Sequence, residues 1–230
     1  MAKHQIRIIH RDDIPLGGFA GIVETRMVMS PSLWPGAKDN KEISHGLDDF
    51  LYLATGHFKP KEGAPLHPHK DVDIVSFIPG GAIGHTGTMG HGTTIHGPGV
   101  QVQRAGTGIE HSEFNLNDTP TDLVQMWFSP PAKGLDPDYR DYTLQEDGMI
   151  TVLGEDNTDA FESSMRCQIG ILKPAQTVTS DIPFIAFLQQ GTALANGQSV
   201  KAGDVIEGGI LEFNPIDTCT LVLIQSNRTI

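Results

Sequence analysis

Short apolar runs, each cut off by glycine, proline, asparagine or aspartate, govern what this chain can fold into. The runs 50–55, 73–78, 123–128, 168–172, 184–188 and 220–225 are rich in Val, Ile, Leu and Phe. Their length and β-branched or aromatic content suit strands. No segment sustains a 3.6-residue apolar period, so helices are expected to be few and short, one of them a turn near 136–140. The 26 glycines and 15 prolines supply the turns such a chain needs. The fold class read from this pattern is all-β, a sandwich or barrel. At 230 residues the chain can bury one large β core or two packed halves.

The halves echo one another loosely. Gly80-Gly81 followed by Gly97-Pro98-Gly99-Val100 has a counterpart in Gly191, Asn196-Gly197 and Ala202-Gly203-Asp204-Val205. Each reads as a hairpin and then a glycine corner leading into another strand. A duplicated barrel follows, with its junction in 129–147, where Pro130, Pro131 and Pro137 interrupt the strands. We divide the chain into residues 1–135 and 136–230.

A formal net charge of −12 argues against binding nucleic acid or an anionic membrane by electrostatic attraction. The acidity is concentrated in residues 116–230, which reads as a solvated face or as a surface for a basic protein partner. Cys167 and Cys219 have no C-x-x-C spacing, so reduced, buried thiols are expected. The first residues lack the apolar core of a secretory leader, and no run approaches the roughly 18 apolar residues of a membrane span. A cytosolic location is expected.

All ten histidines lie at or before position 111. Any imidazole-based metal site must therefore belong to the first half. His67-Pro68-His69 is an H-x-H pair, and on a strand residues i and i+2 share a face. His111-Ser112-Glu113 repeats that spacing with a carboxylate as its second member. One H-x-H alone is more often a surface or core feature than a ligand pair. Two period-2 pairs on facing strands would offer three nitrogens and one oxygen, a set that accepts Fe, Ni, Co, Cu, Mn or Zn. His85, His91 and His96 fall in the glycine-rich stretch 80–99 and read as an exposed loop at a barrel mouth rather than as a second metal cluster. His4, His10, His45 and His57 show no ligand spacing. Gly106-Thr107-Gly108 lacks the third glycine and the helix of a dinucleotide fingerprint.

Longer stretches carry a family likeness. His67-Pro68-His69-Lys70-Asp71, Gly97-Pro98-Gly99-Val100-Gln101, Ala105-Gly106-Thr107-Gly108-Ile109 and His111-Ser112-Glu113-Phe114-Asn115 resemble the pirin family of the cupin superfamily. So do Gln125-Met126-Trp127-Phe128 and Gly134-Leu135-Asp136-Pro137. The resemblance spans about residues 50–142. It implies two double-stranded β-helix (cupin, or jelly-roll) barrels, the second without metal ligands. It also implies one mononuclear metal, usually iron, held by His67, His69, His111 and Glu113. Some pirin-like proteins open a flavonol ring with dioxygen and release carbon monoxide, whereas animal pirin is an iron-dependent nuclear coregulator. The chain departs from the family pattern at Lys70, often Arg; at Asp73, commonly Glu; and at Gly99-Val100, commonly Pro-Gly-Asp. These departures bear on substrate more than on metal.

The function expected is a metal-dependent dioxygenase acting on a flavonol-type aromatic, with Glu113 as catalytic base. Phe77, Met126 and Phe128 are candidate walls of the substrate pocket, or else core. The competing reading is a non-catalytic, iron-binding redox sensor that engages a protein partner. A metal-assisted isomerase or hydrolase on the same fold stands third.

Overall fold

The computed structural model describes residues 5–227, apart from the side chains of residues 90–92. His4 and the side chain of His91 thus lie outside the described residues. The chain is built from strands. In order they begin with β1 (Ile6–His10), β2 (Gly17–Phe19), β3 (Ile22–Met29), β4 (Phe50–Phe58), β5 (Gly63–His69), β6 (Asp73–Ile78) and β7 (Ala82–Gly87). There follow β8 (Gly90–His96), β9 (Gly99–Arg104), β10 (Ile109–Asn115), β11 (Thr121–Phe128), β12 (Asp138–Thr143), β13 (Gly148–Leu153) and β14 (Met165–Leu172). The last are β15 (Val178–Ser180), β16 (Phe184–Gln190), β17 (Thr192–Ala195), β18 (Gln198–Lys201), β19 (Asp204–Gly208), β20 (Leu211–Pro215) and β21 (Cys219–Ser226). The helical content among the described residues is two 3-10 turns, Arg11–Asp13 and Pro35–Asp39. No helix there is long and apolar enough to cross a membrane.

The turn expected near 136–140 is instead the start of β12. Its residues pair antiparallel with β9, from Asp138 opposite Arg104 to Thr143 opposite Gly99. The ladder satisfies backbone groups that a short isolated helix would leave open, and so overrides the local turn signal.

Two compact units emerge, and neither is contiguous. One comprises Pro15–Val28 and Leu51–Thr143; the other comprises Met1–Ile14, Met29–Phe50 and Leu144–Ile230. The sequence suggests one division, at 135/136, whereas the chain makes its last crossing at 143/144. In the second unit a six-stranded sheet, β1-β19-β16-β21-β14-β13, accompanies a four-stranded one, β15-β20-β17-β18. Its core gathers Phe184, Leu188, Phe213, Leu221 and Leu223. Cys219 is part of that core, Cys167 is buried elsewhere in the unit, and both are free; burial raises both thiols, Cys219 to about 11.

The first unit pairs the seven-stranded sheet β12-β9-β6-β11-β4-β3-β2 with the four-stranded sheet β5-β10-β7-β8. Strand alternation sorts its interior into layers. Along β6 the inward residues run Ile74, Ser76, Ile78; along β11 they run Leu123, Gln125, Trp127, with Ser76 opposite Gln125 and Ile74 opposite Trp127. Ile78 and Leu123 join one apolar cluster with Ile22, Phe58, Ala64, Ile83 and Ile95. Ile74 joins another with Val72, Ala105 and Ile109, flanked by Met89 and Trp127. The polar residues lie between these two apolar plugs.

Gly63 sets how closely β5 approaches β10. A Cβ there would lie 1.9 Å from the Glu113 carbonyl oxygen. Gly63→Ala is therefore expected to push the two strands apart and destabilise the unit by about 1–3 kcal/mol, the usual cost of overpacking. Urea unfolding of the variant checks this; an unchanged midpoint would show that the strands part without cost.

Candidate metal centre

Antiparallel pairing of β5 and β10 places His111 directly opposite His67, and the i+2 rule brings His69 to the same face. One nitrogen from each of His67, His69 and His111 lies within 4.8 Å of the others. The rings are close, with centroids 4.5 Å apart for His67 and His111 and 4.8 Å apart for His69 and His111. His111 Nε2 lies 3.0 Å from His67 Nε2. His67 Nδ1–H donates to the Pro65 carbonyl at 2.7 Å, which leaves Nε2 as the bare nitrogen facing the cluster.

The electrostatics favour neutral rings. Burial, reinforced by the neighbouring imidazoles, lowers His69 to about 4 and His111 to about 2. Near neutral pH His69 and His111 therefore present lone pairs, rather than imidazolium charges, to the point where the three rings converge. That is the protonation state ligation needs, so the donor set fits a borderline transition metal.

Glu113 follows two residues along the same inward face of β10, opposite Ala64 on β5 and His85 on β7. The register shifts between His111 and Glu113, where two steps of β10 face three steps of β5 from His67 to Ala64, so the extra residue lies on β5 and His111 and Glu113 keep their period-2 spacing. Ser76 Oγ donates to Glu113 Oε1 at 3.5 Å. Burial raises the Glu113 carboxyl to about 7 against the opposing hydrogen bonds of Ser76 and Gln125. The closely spaced group among the described residues is the three histidines; Glu113 stands beside it.

His85 departs from expectation. It is buried rather than on an exposed loop, because β7 is an inner strand of its sheet and alternation turns Ile83 and His85 inward. Its Nε2 lies 2.8 Å from His111 Nδ1, and Gln103 Oε1 lies 2.9 Å from that same nitrogen. Next to them is a cavity of about 20 Å³, with Gln101, Thr93 and Tyr139 in its wall. His96 is exposed on β8.

Phe77, Met126 and Phe128 lie on the other face of their sheet. Register places Val124 opposite Phe77, Met126 opposite Val75 and Phe128 opposite Asp73. This is the parity alternate to Ser76, Gln125 and Trp127, and all three side chains are fully buried. The aromatic rings beside the histidines are different ones. Trp127 lies edge-on to His69 at 5.4 Å and against Tyr52 at 4.8 Å, and Phe19 lies edge-on to His67 at 5.8 Å. Asp73 shares the far face and is clamped by Arg104, through Nε at 2.9 Å and Nη2 at 2.7 Å.

Comparison with known proteins points the same way. The family profile described as Pirin matches residues 37–128. A Mycobacterium tuberculosis protein named "putative quercetin 2,3-dioxygenase" is 30% identical over 196 residues, which cover 77% of this chain and 80% of that protein. A "pirin-like protein" of Caulobacter vibrioides is 28% identical over 183 residues, covering 73% and 78%. Among solved structures, the bacterial pirin YhhW of Escherichia coli in complex with nickel(II) superposes with a TM-score of 0.84 at 19% identity, covering 98% of this chain and all of that one. At that identity the likeness concerns the fold.

Proposed function

The chain belongs to the pirin family, and we propose that it is a metal-dependent dioxygenase that opens a flavonol-type aromatic ring. The observation that carries this reading is the convergence of three imidazoles beside a buried carboxyl, with Trp127 and Phe19 at their edges. His67, His69 and His111 would hold one transition metal, with iron our proposal for its identity, and Glu113 would serve beside them as ligand and base. When bound, the metal supplies Lewis acidity toward the substrate's oxygens and a redox partner for dioxygen. Relatives named for quercetin 2,3-dioxygenase support this substrate class.

The chain's own residues have defined tasks. A flavonol must lose its hydroxyl proton before it is electron-rich enough to react with dioxygen. Glu113 takes that proton: with its carboxyl near 7 it can accept and return a proton at neutral pH. Ser76 orients the carboxyl. Trp127 and Phe19 offer ring edges to a flat aromatic.

The test is dioxygen consumption by anaerobically iron-loaded protein on addition of quercetin, with carbon monoxide measured in the headspace. Uptake with carbon monoxide release is expected. Glu113→Gln should cut turnover by about 10²–10⁴-fold, the usual contribution of a positioned base, and retain more metal than activity. Equal loss of both would sink its role as base. No uptake by protein shown to hold iron would reject the dioxygenase and favour a redox-sensing binding protein.

A further inference from the structure

We propose that His85 is a positioning residue of the metal centre, holding His111 in the tautomer that turns a bare Nε2 toward His67 and His69. The proposal rests on reading those three histidines as ligands, and it concerns a residue whose spacing in the sequence gives no hint of such a role.

A neutral imidazole carries one N–H, and which nitrogen bears it is set by what each nitrogen faces. His111 Nδ1 faces two atoms at hydrogen-bond distance, Gln103 Oε1 at 2.9 Å and His85 Nε2 at 2.8 Å. A carbonyl oxygen only accepts, so the contact with Gln103 requires His111 to carry its proton on Nδ1. Its Nε2 is then bare, 3.0 Å from the His67 nitrogen that also faces the cluster. For His85 to fit beside that N–H, its own Nε2 must accept, and its proton must reside on Nδ1. In the opposite arrangement His85 Nε2–H donates to His111 Nδ1. That would place the His111 proton on Nε2, where it would donate to His67 Nε2 at 3.0 Å and tie up two of the three nitrogens.

Gln103 thus selects the ligating tautomer, and His85, as the second acceptor on the same nitrogen, holds it there. His67 is treated alike, with Nδ1–H tied to the Pro65 carbonyl. The framework makes the His85 contact firm. It is buried on β7, the β10 neighbour on the side away from β5, and Gly87 opposite His111 allows close approach, since a Cβ there would lie 2.2 Å from the Glu110 carbonyl oxygen. Outer partners of ligating histidines generally fix tautomer and ring orientation in this way.

The first measurement needs no variant. Long-range ¹H–¹⁵N correlation of the histidine rings in metal-free wild-type protein is expected to show His111 protonated on Nδ1; protonation on Nε2 overturns the proposal. The second measurement is cobalt(II) affinity by chelator competition. His85→Leu is expected to weaken it about 10–100-fold, with circular dichroism unchanged, and His85→Gln, which keeps an acceptor, should recover most of the loss. A folded His85→Leu protein with wild-type cobalt(II) affinity overturns the proposal. Wild-type protein that binds no cobalt(II) defeats the three-histidine reading itself, a separate failure that takes this proposal with it.

Discussion

His69→Ala is expected to strip the metal from the protein while leaving the barrel folded. His69 is the last residue of β5, a strand that pairs with β10 alone. It is half-buried, so truncation there removes a ligand and little packing. Losing an outer partner of a ligand costs about 10–100-fold in affinity; losing one of three converging nitrogens should cost more than about 100-fold. Metal analysis after gel filtration should fall from one ion per chain to background, and quercetin-dependent dioxygen uptake should vanish with it. Thermal unfolding provides an independent readout. Metal at 100 times its Kd stabilises a protein that binds it only when folded by about 2.7 kcal/mol. Wild-type protein should show that gain on metal addition, and His69→Ala should show none. A variant that keeps stoichiometric metal would remove His69 from the ligand set.

The His67–His69 part of the histidine cluster was legible because its signal is local. His67 and His69 are two apart on one strand, and the period of a strand does the rest. What brings His111 to them is the β5–β10 register, which the spacing of the two pairs could suggest but not specify. His85 was hidden for the same reason: it reaches His111 across the β7–β10 ladder, 26 residues away, and no pattern around Gly84 or Thr86 marks it. Phe77, Met126 and Phe128 show a different gap. Alternation along β11 says that Met126 and Phe128 share a face, and it says nothing about which face meets the histidines. An anchor was needed, and Gln125 and Trp127 provide it through Glu113 and His69. Period-2 reasoning is thus strong within a strand and silent between strands. The pairing of β1 with β19, which sets Ile6 opposite Gly208, lies beyond any local signal.

Arg104→Met is expected to cost the protein about 3–5 kcal/mol, the penalty for leaving one member of a buried ion pair alone. Asp73 is fully buried and the Arg104 side chain is 11% exposed, joined by a bidentate contact. Asp73 and Arg104 pair directly across β6 and β9. Burial alone raises the Asp73 carboxyl, and Arg104 opposes that rise. Without Arg104 the folded-state pKa climbs further above its unfolded value, so the variant's loss should be greatest at pH 7 and shrink as the pH falls through that raised pKa toward the unfolded value of about 4. Replacing both partners, Asp73→Leu with Arg104→Met, should recover most of the stability, because a buried pair and a packed apolar pair are nearly equivalent. Asp73→Glu, the residue usual in the family, adds a methylene opposite the fully buried Phe128 and should cost about 1–3 kcal/mol. The pair lies on the sheet face turned away from the histidines, so none of these changes should alter cobalt(II) affinity. Urea unfolding at pH 7 and pH 5, with metal titration of each variant, separates the two effects. A loss under about 1 kcal/mol for Arg104→Met, within the range of exposed ion pairs, would mean that water rather than Arg104 satisfies the Asp73 carboxylate.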